Sequence, residues 1–141
     1  MDVFARRRAG VLLHPTSLPG GVGNGDLGAD AYRFVDFLAE CGISLWQTLP
    51  LGATHENLSP YQCLSVHAGN FRLISLQALV DLGWLDDAHL DGTQDIDAQR
   101  RVRLAAAFNG FQRKASSDER SAFARFVAEY ANWLDDFALY E

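Results

Sequence analysis

Cysteine, methionine and proline are scarce in this chain: two, one and four residues of each among 141. The two cysteines, Cys41 and Cys63, fall in no C-x-x-C and have no histidine pair nearby. That excludes a disulfide scaffold and a thiolate metal site, and leaves them as small buried residues. Long apolar runs are lacking as well. The run "GVLL" that follows Arg6-Arg7-Arg8 stops at His14 and Pro15, short of the ~7–15 residues of an export core, and nothing approaches a membrane span of ~20 apolar residues. Basic charge is in deficit: twelve Lys and Arg face eighteen Asp and Glu, for a net charge of −6. Nothing in the bulk charge therefore draws the chain to nucleic acid or to an anionic membrane. A cytoplasmic location is the expectation. What is present is the composition of a folding sequence, 48% hydrophobic and 21% charged, which excludes disorder and fibrous repeats. The length suits one domain with a core, or a piece of something larger.

Read along the chain, "AGVLLH" (residues 9–14) is a nearly unbroken apolar run, the pattern of a strand buried on both faces of a parallel sheet. From Ala29 to Cys41, Ala31, Phe34, Val35, Leu38 and Cys41 recur at spacings of three and four, which predicts an amphipathic helix ended by Gly42. "ISLWQTLPL" (43–51) reads as a second buried strand, closing a βαβ unit. Residues 53–71 have no sustained period and form a long loop at a strand end, where loops tend to be functional. A short helix follows Ser75 and ends at Gly83. Six aspartates between Asp81 and Asp97 mark an exposed acidic connection. The last third is helical: one helix from about Asp97 to Lys114 with Val102, Phe108 and Phe111 inside, acid at its start and base at its end as the dipole prefers. The next opens with Ser116 and Glu119 in capping-box spacing and runs without a stop signal through Phe123, Phe126, Val127, Tyr130, Trp133, Leu134 and Phe137. A pattern still helical at Glu141 suggests a fragment.

One motif invites a nucleotide reading. Gly23, Gly25 and Gly28 match G-x-G-x-x-G, but Pro15 to Gly21 separate them from the strand, and the second strand ends in "LPLG" without the acid a ribose requires. Asp26 would place a carboxylate where a pyrophosphate must sit, and no G-K-[ST] follows. No nucleotide is expected. Asp26 reads instead as a cap for the helix from Gly28 onward, with glycines allowing a tight turn.

Taken together, "GVLLHPTSLPGGVGNGDLGADAYRFVDFLAECGISLWQTLPLG", "SPYQCLSVHAGNFRLISLQALVDLGWL" and "WLDDFALYE" resemble the N-terminal part of the amylomaltases, bacterial 4-α-glucanotransferases called disproportionating enzyme in plants. The match is almost continuous from about Gly10 to Gly83 and resumes at the end. The resemblance implies an α/β fold, the N-terminal part of a (β/α)8 TIM barrel of the α-amylase clan with a helical insertion. On that division residues 1–75 hold the first βα units with a long substrate loop, and 76–141 hold the insertion. It also implies transfer of a segment of an α-1,4-glucan or maltooligosaccharide to the 4-hydroxyl of an acceptor sugar with retention. That chemistry requires no cofactor or metal, and uses two carboxylates roughly 5–5.5 Å apart. In the family both lie on later strands, so no catalytic residue is expected here and the chain alone is expected to be inactive.

Substrate contact is the implied role of this part. The Ser and Tyr of the family's "SPYQ" motif line the donor side of the cleft, which assigns Ser59 and Tyr61; a tyrosine offers a pyranose both an apolar face and a hydroxyl. On the residues alone, Tyr61 could instead fill a core under the loop and Ser59 could be a turn residue. Trp46 and Gln47 read as barrel packing, His14 as a hydrogen-bonded structural histidine, and His55 and Glu56 as solvated. Trp84 and Trp133 fall in contexts that predict burial. Two departures stand out: "GATHENL" replaces the family's glycine-rich "GPTGYGD"-like stretch before "SPYQ", and Phe71 stands where a proline is common. The alternative to the enzyme is a non-catalytic carbohydrate-binding or helical interaction module, the latter built on the stripe from Phe123 to Phe137.

Overall fold

The computed structural model describes residues 7–20, 24–90 and 97–140. Two short strands, β1 (Gly10–Leu12) and β2 (Leu45–Gln47), pair in parallel with Val11 opposite Trp46. Ser44 N–H donates to Ala9 O at 3.1 Å and Leu13 N–H to Gln47 O at 3.0 Å, which extends the ladder by a residue at each end. Between the strands runs α1 (Ala29–Glu40). It ends in a Schellman motif, with Ile43 N–H on Leu38 O at 2.8 Å and Gly42 N–H on Ala39 O at 3.0 Å, and Gly42 at φ +73° supplies the left-handed turn this needs. Leu38 and Ala31 are the buried positions of α1. Phe34 meets Trp46 edge to face, centroids 5.1 Å apart, and the Trp46 indole N–H donates to Leu13 O at 2.8 Å. Trp46 therefore does packing work, as its sequence position indicated.

The strands are shorter and wetter than the apolar runs predicted. Leu12 is 58% exposed and Leu45 38%. A strand becomes buried on both faces only when neighbours and crossover helices cover it, and among the described residues β1 and β2 pair only with each other.

The core of the second half lies where α2 (Leu76–Asp81), residues 84–90 and α3 (Asp97–Lys114) meet, around Leu76, Leu85 and Ala107. Ser75 caps α2, its hydroxyl accepting from Ala78 N–H at 3.4 Å. The inward face of α3 is not the one expected. Val102 is 68% exposed and Phe108 46%, whereas Arg100, Arg103, Ala107 and Gly110 are buried. Their spacing of three, four and three follows the helical period, and small residues win the inner face because the backbone of residue 84 lies so near. A Cβ on Gly110 would stand 1.8 Å from Trp84 O. Much of the acidic connection, residues 91–96, lies outside the described residues.

The final helical stretch divides at Tyr130 into α4 (Ser117–Glu129) and α5 (Ala131–Tyr140). Tyr130 leaves helical geometry (φ −106°, ψ 12°), and its carbonyl accepts from Trp133 and Leu134 to restart the helix. The capping box at Ser116 and Glu119 is formed in both directions, at 3.3 and 2.7 Å. The aromatic stripe is half-exposed, with Phe123 at 44% and Phe126 at 45%. Its rings form a ladder: Trp84 on Phe111, Phe111 on Phe123, and Trp133 stacked on His67 at 5.4 Å. Trp84 and Trp133 are half-buried rather than fully enclosed. Among the described residues no helix is long and apolar enough to cross a membrane.

Candidate functional site

Because β1 and β2 are parallel, the segments leaving their C-terminal ends emerge on the same side. From β1 the chain enters a 3-10 turn, Pro15–Ser17. From β2 it enters the loop that holds "SPYQ". That loop is folded back on itself by the bridges Gly52 to Gly69 and Thr54 to Cys63, with Leu64 N–H on Ala53 O at 2.7 Å and Asn70 N–H on Leu51 O at 2.8 Å. Its backbone polar groups thus find partners without regular structure, as a packed loop requires.

The two segments meet in a cleft of about 310 Å³, lined by His14, Thr16 and Asn24 on one wall and by Leu58, Pro60, Asn70 and Arg72 on the other. Polar atoms and apolar surface alternate around it, the usual make-up of a small-molecule site. The loop tip is fixed locally. Asn57 accepts from Ser59 N–H at 3.1 Å and donates to Gln62 Oε1 at 2.5 Å, Gln62 N–H returns to Ser59 O at 3.0 Å, and Leu58 is held at φ +58°.

Of the two residues assigned from the motif, Ser59 is half-buried and Tyr61 is 75% exposed. Tyr61 does not fill a core. Pro60 between them lines the cleft, and Ser59 and Tyr61 flank its enclosed part. His14 is tied into the turn. Its Nδ1 accepts from Thr16 N–H at 3.4 Å and lies 2.8 Å from Thr16 Oγ1, which places the ring proton on Nε2. Among the described residues that buried Nε2 meets no hydrogen-bond partner. His55 and Glu56 are exposed, as expected, on a neighbouring polar cleft of about 430 Å³ shared with Arg72, Asp97 and Arg101. Gln47 is exposed.

The glycine motif is answered by what fills its space. Residues 21–23, and so Gly23, lie outside the described residues. At Gly25 a Cβ would meet Pro15 O at 2.3 Å and Leu18 O at 2.5 Å, and at Gly28 it would meet Ser75 Oγ at 2.5 Å and Asp26 Oδ1 at 2.6 Å. These glycines admit the chain's own atoms, so a phosphate has no cradle there.

Asp26 does more than cap a helix. It is buried, at 7% exposure, and accepts from Gly28 N–H at 2.8 Å, while Gly28 itself is the N-cap and Ala29 opens the helix. Burial raises its carboxyl above the ordinary value of 3.8, against the opposing pull of the Gly28 N–H, the Arg100 charge and the Ser75 hydroxyl, with Asp30 adding to the rise. Arg100, only 1% exposed, reaches from α3 to the carbonyls of Phe71 at 3.4 Å and of Ile74. Beside it Arg72 pairs with Asp97, so the first residue of α3 is an ion-pair partner rather than a solvated acid. The sequence reading missed this cluster. The available signal was a lone acid in a glycine-rich loop and an arginine in register with Ala107 and Gly110. Among the described residues no group of three or more His, Cys, Asp or Glu is placed to hold a metal ion.

With this geometry in view, the comparisons with known proteins agree with one another. A family profile described as 4-alpha-glucanotransferase matches residues 13–141. The 4-alpha-glucanotransferase of Thermus thermophilus is 46% identical over 140 residues, covering 95% of this chain and 28% of that protein. The chloroplastic/amyloplastic 4-alpha-glucanotransferase of Arabidopsis thaliana is 50% identical over 148 residues, covering 99% and 26%. Among solved structures, the amylomaltase from Streptococcus agalactiae in complex with acarbose superposes with a TM-score of 0.83 at 38% identity, covering 94% of this chain and 28% of that one. The chain thus spans little more than a quarter of the length of these relatives.

Proposed function

The chain belongs to the 4-alpha-glucanotransferase family, and from that premise we propose that it forms the N-terminal part of a retaining enzyme. The reaction would pass a segment of an α-1,4-glucan to the 4-hydroxyl of an acceptor sugar. Residues 1–75 supply the first βα units of a (β/α)8 barrel together with the substrate loop, and residues 76–141 supply a helical insertion. One observation supports this reading above the others: the segments leaving both parallel strands converge on one cleft, at the strand ends where barrel enzymes bind substrate. That the relative from Streptococcus agalactiae holds acarbose, as its title states, supports a glucan-type ligand for this cleft.

The division of labour follows from the side chains. Those lining the cleft, His14, Thr16, Asn24, Asn70 and Arg72, suit the donation and acceptance of hydrogen bonds with sugar hydroxyls. A retaining transfer also needs a nucleophilic carboxylate and a carboxylic acid roughly 5–5.5 Å apart. Among the described residues lining the cleft there is no carboxylate, so both are assigned to parts of the enzyme outside these 141 residues, and the chain alone is expected to bind without reacting. Ser59 and Tyr61 are assigned to the donor side, Tyr61 offering its exposed ring face to a pyranose.

Maltoheptaose titrated into the chain, followed by amide chemical shifts, tests this. Shifts are expected at residues 14–17, 59–62 and 70–72, and Tyr61→Ala is expected to weaken binding roughly fivefold to tenfold. Thermal stability should not change, because the ring is exposed. Absence of maltoheptaose-dependent shifts at these positions would sink the assignment.

A further inference from the structure

The cleft's two walls come from segments far apart in sequence. One is the loop after β1, ending in Asn24; the other is the stretch from Leu58 to Arg72. Their relative position has to be held by something behind them. The hydrogen bonds crossing between them converge on a single region: Gly25 N–H reaches Thr16 O at 3.4 Å, and Leu27 N–H reaches Leu73 O at 3.0 Å. Asp26 lies between those two contacts.

Its carboxylate is the point at which three elements are joined. One oxygen takes Gly28 N–H at 2.8 Å and so sets the entry into α1. The Ser75 hydroxyl, at the start of α2, donates to the same carboxylate, and Arg100 of α3 faces it as the opposing charge. Arg100 in turn grips the carbonyls of Phe71 and Ile74, which flank Arg72 and continue the wall from Asn70. A line of fixed contacts therefore runs from Asn24 through Asp26 and Arg100 to Arg72, two residues from Asp26 at one end and one residue from Phe71 at the other.

We propose that Asp26 is a positioning residue for the glucan cleft: buried outside it, the carboxylate sets the separation of the Thr16–Asn24 wall from the Asn70–Arg72 wall. The proposal rests on the reading of the cleft as a glucan site. Asp26 touches no sugar in this scheme. It acts through Asn24 on one side and through Arg100 and the 70–74 backbone on the other.

The test uses the 141-residue chain with maltoheptaose as probe and amide shifts as readout, comparing Asp26→Ala, Asp26→Asn and Ser75→Ala. Asp26→Ala removes every arm of the clamp, and the expected result is affinity weakened about fivefold, the factor contributed by one neutral hydrogen bond, with maltoheptaose-induced shifts lost at Thr16 and Asn24 and kept at Ser59–Tyr61. Asp26→Asn keeps an acceptor for Gly28 and Ser75, and is expected to restore affinity to within about twofold. A role in stability alone would leave the affinity of the folded protein and the pattern of shifts as in the unsubstituted chain. That outcome overturns the proposal. If Asp26→Ala does not fold, Ser75→Ala cuts one arm alone and must still shift the Thr16–Asn24 wall, or the proposal fails. A chain that folds but shows no maltoheptaose-induced shifts before any substitution overturns the glucan reading itself, and is told apart from failure of the clamp on that ground.

Discussion

Replacing Arg100 by methionine isolates the energetics of the buried cluster. Methionine keeps much of the side-chain length and can occupy the apolar part of the site, so the change removes charge and donors more than volume. Two contacts are lost, to Phe71 O at 3.4 Å and to Ile74 O; hydrogen bonds from a charged donor contribute about 1.5–3 kcal/mol each, and the longer of these lies at the weak end. The larger effect is that Asp26, at 7% exposure, is left without its opposing charge. Breaking a buried pair on one side destabilises by about 3–5 kcal/mol, against a total stability of roughly 5–15 kcal/mol for a domain. Urea unfolding followed by circular dichroism should show that loss at neutral pH. The pH dependence carries the sign. The Asp26 carboxyl is raised in the folded chain, so its contribution to stability is fully present below the ordinary carboxylate value and is lost as pH climbs through the raised one. Without Arg100 it is raised further, so the deficit of Arg100→Met should be smallest in acid and grow toward neutrality. Adding Asp26→Asn should restore part of the loss, since removing both charges leaves neither unpaired. A single variant within about 1 kcal/mol of the parent, or a double variant no more stable than the single, would refute the reasoning.

Asp26→Asn alone should gain stability relative to the parent as pH rises through the carboxyl's raised value, measured as the difference between urea midpoints across pH; a difference that stays flat would mean Asp26 does not titrate in the folded chain. Gly110→Ala should destabilise despite the ~1 kcal/mol that alanine adds to a helix interior, because its Cβ would fall 1.8 Å from Trp84 O and overpacking costs about 1–3 kcal/mol; an equal or higher urea midpoint would contradict the close approach. Ser116→Ala should remove about 1 kcal/mol from the start of α4, read as faster amide exchange in its first turn. The Glu119 carboxyl, held below its ordinary value first by Ser116 N–H and then by the hydroxyl, should move back upward in an NMR titration.

What could be read from the sequence depended on how local the signal was. The limits of α1 and α3, the capping box at Ser116 and the end of α2 at Gly83 follow from contacts within a few residues, and the structure agrees with them. Trp46 was legible as packing because it sits in a strand. The inward face of α3 was not legible. Valine and phenylalanine predict burial from composition, but Gly110 must face the backbone at Trp84, and that rotation carries Val102 and Phe108 outward and Arg100 inward. A buried arginine cannot be anticipated from its own helix, because its partners, Asp26 and the carbonyls of Phe71 and Ile74, lie from 26 to 74 residues away. The motif "SPYQ" was visible only through resemblance; its spacing says turn, and the turn is there from Ser59 to Gln62.

The division of the chain into a substrate part and a helical insertion also has a physical consequence at Ser75. An appended helical unit would ordinarily meet its neighbour across a polar, weakly packed interface. Here the junction holds a 1% exposed arginine, a buried carboxylate and a capping serine, all satisfied across it. Buried polar groups of this kind are costly if separated, so α3 cannot lift away from the 70–74 segment without leaving a charge unpaired in an apolar setting. The wall of the cleft at Asn70 and Arg72 is thus held from behind by a helix that lines none of its enclosed part. On this argument the helical residues contribute to the cleft through rigidity rather than contact, and substitutions along the buried edge of α3 should alter binding in proportion to how far they loosen that backbone.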